Sequence, residues 1–302
     1  MIGDPVALGA TLYLPATRAD LVGILVDGGI AGLRSAVICL EDAVLASDVP
    51  AALDRLAAFL REHGDGDEDG PAVFVRPRNP TMLERIVRLP GAERLAGYVL
   101  PKVTADTLPA YLHSPLSDAQ MLMPTIESRE AYDPHEMRRL RDQLLTVADR
   151  ILAVRIGGND LLNEIGARRS RVRTIYEGPL GPLIARLVGE FAPWGFALTA
   201  PVMERYEDPV LLREEVARDL EHGLVAKTAI HPSQVAVIHA ALAVGSDELA
   251  EAEAILDEGA PAVFGMGGGM AEPATHRRWA AMLVRRAKRF GVADPLPIQR
   301  RG

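Results

Sequence analysis

The chain has 302 residues, 48% hydrophobic and 25% charged, with a formal net charge of −8. This is a globular balance, and its acid excess has the wrong sign for a general nucleic-acid binder, which needs a basic footprint. A single cysteine excludes an intramolecular disulfide, no apolar run nears the roughly 18 residues of a membrane span, and no basic n-region with an h-region opens the chain. The expectation is a cytoplasmic protein without nucleic-acid or membrane partners.

Eight short apolar runs follow one another, most ending on a polar or charged tip. ATLYLP (10–15) precedes a helix expected to start at Thr17 as N-cap and to stop at Gly28 and Gly29. AVICLED (36–42) ends on Glu41 and Asp42, and helical periodicity follows over 48–63. Its Cys39 reads as a small buried hydrophobe rather than a nucleophile. The loop GDGDEDG (64–70) begins like a calcium loop but puts Arg76 where a bidentate glutamate is needed, so that reading fails. AVFVRPR (72–78) carries Arg76, GYVLPK (97–102) ends on Lys102, and QMLMPTIE (120–127) ends on Glu127. ILAVRIGGND (151–160) reaches Asp160 after Gly157 and Gly158. The longest connection, 161–181, carries Arg168, Arg169, Arg171 and Arg173 and reads as a lid or substrate arm. FALTAPVME (196–204), a helix over 207–222, LVAKTAIHP (224–232) and a helix over 233–244 complete the series.

Near-continuous apolar strands suit a parallel sheet covered on both faces. Strand and helix alternating eight times is the α/β pattern of a (β/α)8 barrel, here over residues 1–245, with chemistry expected at the C-terminal strand tips. Residues 246–302 form a helical extension, expected as a lid or oligomer contact. It comprises a helix over 246–257, a glycine-rich hinge GMGGGM (265–270) and a basic amphipathic helix over 272–290. Trp279, Met282, Leu283, Ala287 and Phe290 share one face of that helix, which needs an apolar cover from its own barrel or a neighbouring subunit.

Glu127 and Asp160 end adjacent strands, about 4.8 Å apart. Carboxylates that close repel unless a cation or proton lies between them, and few oxygen ligands with open positions is how Mg²⁺ is held. The bland alternative makes Glu127 a loop residue and Asp160 a helix cap. Arg76 offers a rigid fork to a carboxylate or thioester-type oxygen, or else a structural pair to Glu41 or Asp42. Of Glu41 and Asp42, one faces the barrel axis and the other reaches metal-bound water. Gly157 and Gly158 let backbone approach a ligand and could offer N–H donors to an oxyanion. Lys102 is expected to support the acidic rim by charge pairing; it or Lys227 could also form a Schiff base. His231 reads as a supporting residue behind the site.

In order, LYLPA, CLEDAV, VFVRPRN, YVLPKV, MPTIES, VRIGGNDLLNEIG and VAKTAIHPSQV resemble the HpcH/HpaI aldolase and citrate lyase β-subunit (CitE-like) family, over residues 10–245. The resemblance implies a TIM barrel that binds Mg²⁺ or Mn²⁺ and makes or cleaves a carbon–carbon bond next to a carbonyl through a metal-stabilised enolate. The substrate would be a small oxo or hydroxy acid or its acyl-CoA thioester. By position, Glu127 and Asp160 match the metal ligands, Arg76 the substrate-binding arginine, and Glu41 with Asp42 the supporting acidic pair. A homo-oligomer, trimer or hexamer, is implied as well. The chain departs from the family where Pro77 and Arg78 separate Arg76 from Asn79, in the first strand, which lacks the basic residues that usually precede it and help hold CoA, and in the loop RRSRVRTIYEGPLG (168–181), which is closer to a divergent branch of carbon–carbon bond lyases. Two other readings stand beside this one: a metal-free Schiff-base aldolase using Lys102, and a non-catalytic barrel serving as a binding or assembly subunit.

Overall fold

Each apolar run becomes a parallel strand because both of its faces are covered. The strands are β1 (Ala10–Pro15), β2 (Ser35–Cys39), β3 (Ala72–Arg76), β4 (Gly97–Leu100), β5 (Met121–Ile126), β6 (Val154–Ile156), β7 (Leu198–Thr199) and β8 (Lys227–Ala229). They pair in the order β7-β6-β5-β4-β3-β2-β1-β8, and a parallel bridge from Ala200 to Lys227 closes the ring. The architecture is the expected (β/α)8 barrel. The computed structural model describes residues 3–62 and 70–293. The acidic loop over 64–69 and the expected helix end at His63 lie outside them.

Side chains alternate along each strand, so register decides what faces the axis. Thr125 pairs with Arg155, Arg155 with Thr199, and Thr11 with Thr228, which places these polar groups on one inner face. The residue before Thr228, Lys227, points outward.

The helices are α1 (Leu21–Leu25), α2 (Val49–Glu62), α3 (Pro80–Ile86), α4 (Leu108–Leu112), α5 (Pro134–Leu145), α6 (Gly158–Glu164), α7 (Leu180–Phe191), α8 (Pro209–Glu221) and α9 (Pro232–Leu242). In α2, Leu53, Leu56, Phe59 and Leu60 recur at helical spacing and are buried. Asn79, Asp133 and Asp208 accept the N–H of Met82, His135 and Leu211, and a proline opens each of the helices they cap. The first helix differs from expectation: it begins after Asp20 and not at Thr17. The N–H of Arg18 donates to Pro15 O, a turn that occupies the positions a Thr17-capped helix would need. The connection after β6 is also less irregular than expected. α6 starts at the strand tip, and a one-turn segment over Ile175–Glu177 is closed by a Thr174–Glu177 capping box.

The chain divides into two compact units, Met1–Ile238 and His239–Gly302. In the second, β9 (Val244–Gly245) pairs with β12 (Val292–Ala293), and α10 (Ser246–Leu256) packs on α11 (Pro273–Phe290). The glycine run is not a hinge. It turns a hairpin of β10 (Phe264–Met266) and β11 (Gly269–Ala271), with Gly267 and Gly268 at φ 60° and 81°. Positive φ at both central residues of a two-residue loop is what such a hairpin requires. Ala280, Leu283 and Ala287 are buried with Ala252 and Ile255 of α10, so the unit covers part of the expected helix face itself, whereas Trp279 is exposed. Among the described residues, no helix is long and apolar enough to cross a membrane.

Candidate active site

Five strand ends deliver the expected rim residues to one place. Arg76, the last residue of β3, lies 3.0 Å from Glu41, 3.9 Å from Asp42 and 4.0 Å from Glu127. Its Nε donates to Cys39 Sγ at 3.3 Å. Lys102 Nζ lies 2.8 Å from Glu41 and 3.3 Å from Asp42. Among the described residues Lys102 is the one non-glycine at positive φ, 50°, a conformation that costs about 1–2 kcal/mol. It is tied to the site: the turn aims the Lys102 N–H at Glu127 Oε1, 2.9 Å away, and sends the ammonium to Glu41. Arg78 grips the same corner by donating to the carbonyls of Leu40, Glu41 and Val44.

Glu127 follows β5 and Asp160 sits in the first turn of α6. Both line one cavity of about 460 Å³ with Asp42, Arg76, Gly157 and Gly158. Gly157 is required by close approach, since a Cβ there would lie 2.4 Å from both Cβ and Oε2 of Glu127. Its N–H is not an oxyanion donor as expected. It donates to Ile126 O at 3.0 Å, because the ladder between β5 and β6 runs one residue further than the strands.

The rim gathers four carboxylates, Glu41, Asp42, Glu127 and Asp160, around two cations that pair directly, Arg76 and Lys102. Burial pushes Glu127 up to about 7; Asp160 and Glu41 add to this, while Arg76 and the Lys102 N–H oppose it. Burial, then the charge of Asp42, raises Asp160. Burial and the Asp42 contact raise Glu41 despite its two ion pairs. Asp42 is lowered: burial works against this, but the Glu41 contact, Lys102 and Arg76 outweigh it. Carboxylates crowded in this way, short of positive charge, are a donor set that a divalent cation completes. Among the described residues there is no ligating group of three or more His, Cys, Asp or Glu. A cation at Glu127 and Asp160 would therefore take its remaining ligands from water and substrate, which fits Mg²⁺.

The two lysines differ from Schiff-base candidates. Burial works against charge on Lys102, but Glu41 and Asp42 hold its ammonium above the ordinary range, the opposite of what a lysine nucleophile needs. Lys227 turns away from the axis and donates to Pro201 O at 3.0 Å and to Glu215 and Asp219 at 2.9 Å each. His231 is exposed, stacks on Tyr206 at 4.4 Å and contacts Ser233 through Nδ1, away from the cavity lining. Arg169 of the basic loop pairs with Glu215 and donates to Val202 O, and the N–H of Ile175 donates to Glu215, so the arm is fastened to α8.

Sequence reasoning missed the cavity's inner wall. Tyr13, Thr125, Arg155 and Thr228 all line it. One signal was available: Arg155 is a charge in mid-strand, in a run whose two faces are both buried.

Known proteins share this architecture. Residues 3–292 match the model of a family described as C-C bond lyase of the TIM-barrel fold. A citrate lyase subunit beta-like protein of Deinococcus radiodurans is 24% identical over 287 residues, 87% of this chain and 89% of its own. The crystal structure of protein CitE from Mycobacterium tuberculosis in complex with magnesium, acetoacetate and coenzyme A matches with a TM-score of 0.66 at 20% identity, over 94% of this chain and 99% of that one. Haloferax volcanii malate synthase matches with a TM-score of 0.62 at 16% identity, over 77% and 72%. At these identities the structural likeness is one of fold.

Proposed function

The chain belongs to the C-C bond lyases of the TIM-barrel fold, as the order of its motifs led us to expect, and on that premise we propose a specific reaction for its rim. The reaction is metal-assisted retro-aldol or retro-Claisen cleavage, or its reverse, of a small hydroxy or oxo acid or its acyl-CoA thioester. The observation that carries this reading is the acid excess at the rim, where Glu127 and Asp160 share a cavity wall with Arg76.

Glu127 and Asp160 would hold the cation, Mg²⁺ or Mn²⁺, which when bound supplies Lewis-acid stabilisation for negative charge on the carbonyl fragment. The Arg76 guanidinium, fixed by Glu41 and Cys39, presents its remaining N–H groups to a substrate carbonyl or carboxylate oxygen. Buried Glu41 anchors Arg76 and Lys102. Asp42, ionised and on the cavity wall, takes the proton of the substrate hydroxyl in the cleavage direction, directly or through a water. As the hydroxyl becomes a carbonyl, the carbon–carbon bond breaks and its electron pair passes to the enolate, which is then protonated. Gly157 lets Glu127 lie flat against the wall, and Gly158 lets that wall pack on Pro201 and Ile175, which a Cβ would approach to 2.8 and 3.1 Å. Lys102 is a positioning residue. The CoA form of the substrate rests on the family resemblance and on the CitE neighbour, itself a complex with coenzyme A; the first strand's lack of preceding basic residues counts toward the free acid. A homo-oligomer and a cytoplasmic setting belong to the same reading.

The test is cleavage of a panel of β-hydroxy acids and their CoA thioesters, read by coupled reduction of the released keto acid. Turnover that EDTA abolishes and Mg²⁺ restores supports the proposal. EDTA-resistant turnover with an adduct trapped by borohydride would support a lysine mechanism instead.

A further inference from the structure

The barrel interior beneath the rim holds a charged group that the rim chemistry leaves unused. Arg155 on β6 is 2% exposed. Its Nη2 donates to Thr228 Oγ1 at 2.6 Å, and its Nη1 meets only the Met123 thioether, at 3.7 Å. Its guanidinium lies 5.3 Å from the centre of the Tyr13 ring, where that of Arg76 lies at 5.4 Å. Among the described residues no Asp or Glu forms an ion pair with Arg155, whereas buried Arg76 and Arg169 both have carboxylate partners. A guanidinium has five donors and does not lose its charge, and burying one without an anion is strongly unfavourable.

A second observation points the same way. Thr125, beside Arg155 in register, is 4% exposed, and its Oγ1 has no hydrogen-bond partner. Both side chains line the cavity that holds Arg76, Glu127 and Asp160. They stand two residues before Glu127 and Gly157, about 6–7 Å deeper along the strands.

We infer that Arg155, with Thr125 and Thr228, is a second anion subsite, and that the substrate is a short diacid whose far carboxylate docks there while its carbonyl end meets the rim. The near end of this assignment rests on the proposed lyase reading; the subsite itself does not. One guanidinium with two hydroxyls suits a planar monoanion. A phosphate dianion would want a second cation, and the next one, Arg76, is committed to Glu41 and to the carbonyl end of the substrate.

The test uses two pairs of keto acids that differ only by carboxylate against methyl: oxaloacetate with α-ketobutyrate, and α-ketoglutarate with α-ketovalerate. Binding to the full chain is measured by calorimetry with Mg²⁺ and with EDTA, for wild type, Arg155→Met and Arg155→Lys. In at least one pair the wild type should bind the diacid roughly ten-fold or more tighter, the effect of one charge-assisted contact. Arg155→Met should bring that ratio close to one by weakening the diacid alone, and Arg155→Lys should fall between. If the methionine variant does not fold, the lysine variant carries the test through the same ratio. A wild-type ratio near one in both pairs, a ratio unchanged in the variants, or equal loss of both ligands would overturn the subsite. Discrimination that is intact but indifferent to Mg²⁺ would keep the subsite and overturn the metal reading. Failure of every ligand to bind would overturn both.

Discussion

Two clusters of buried charge in the barrel unit differ in one respect that separates scaffold from site. Behind β8, Lys227 pairs with Glu215 and Asp219, Arg169 pairs with Glu215, and Tyr176 donates to Asp219 at 2.5 Å. Two acids meet two bases there, and the cluster closes on itself. Lys227 and Arg169 bring Glu215 below its ordinary value although burial opposes them, while burial, with the charge of Glu215, leaves Asp219 above its own despite Lys227 and the Tyr176 hydroxyl. At the mouth, four acids meet two paired bases, and Glu127 is pushed up to about 7 by burial with too little positive charge to offset it. A balanced cluster needs nothing more; an unbalanced one that lines a cavity is shaped for something absent from the chain itself.

Mutation should break the two clusters in opposite ways. Glu127→Gln or Asp160→Asn should lower metal-dependent turnover by about 10³-fold or more. The melting temperature without metal should hold or rise, because repulsion has been relieved. Steady-state kinetics and thermal melts check both halves. Lys227→Met should do the reverse. Leaving Asp219 buried without its cation, and Glu215 with Arg169 alone, costs about 3–5 kcal/mol, visible in denaturant melts, while kcat per folded molecule is retained.

The subtler perturbations sharpen the contrast. Gly157→Ala places a methyl against the Glu127 carboxylate and should weaken metal binding about 10–100-fold, the scale expected when a ligand's support is disturbed. The smallest effect is that of pH. The folded-state value of Glu127 lies above its ordinary 4.5, so its contribution to metal-free stability is present at low pH and fades as pH rises through about 7. A cation binds the ionised form, so the Mg²⁺-induced gain in Tm should grow over that same range. Melts with EDTA and with Mg²⁺ across that range measure both trends.

The sequence exposed some of these features and concealed others for physical reasons. The apolar runs announced parallel strands because both faces are buried, and the acids at their ends stood out for the same reason. That uniformity also hid the inner face. In VAKTA nothing distinguishes inward Thr228 from outward Lys227, so Lys227 looked available for chemistry although α8 claims it. In VRI, Arg155 was visible as a charge, but its direction depended on register with Thr125, which no local pattern encodes. Gly157 looked like an oxyanion donor; only the extension of the ladder to Ile126 shows that its N–H is engaged. The glycine run over 265–270 suggested a hinge because composition cannot tell a loose linker from a tight hairpin turn.

Mn²⁺ binding followed by electron paramagnetic resonance tests most directly whether the acid surplus at the mouth is a cation site. The wild type should bind one Mn²⁺, displaced by Mg²⁺, and both Glu127→Gln and Asp160→Asn should abolish it while Lys227→Met does not. Undiminished Mn²⁺ binding in the two rim variants, or none in the wild type, would contradict the account.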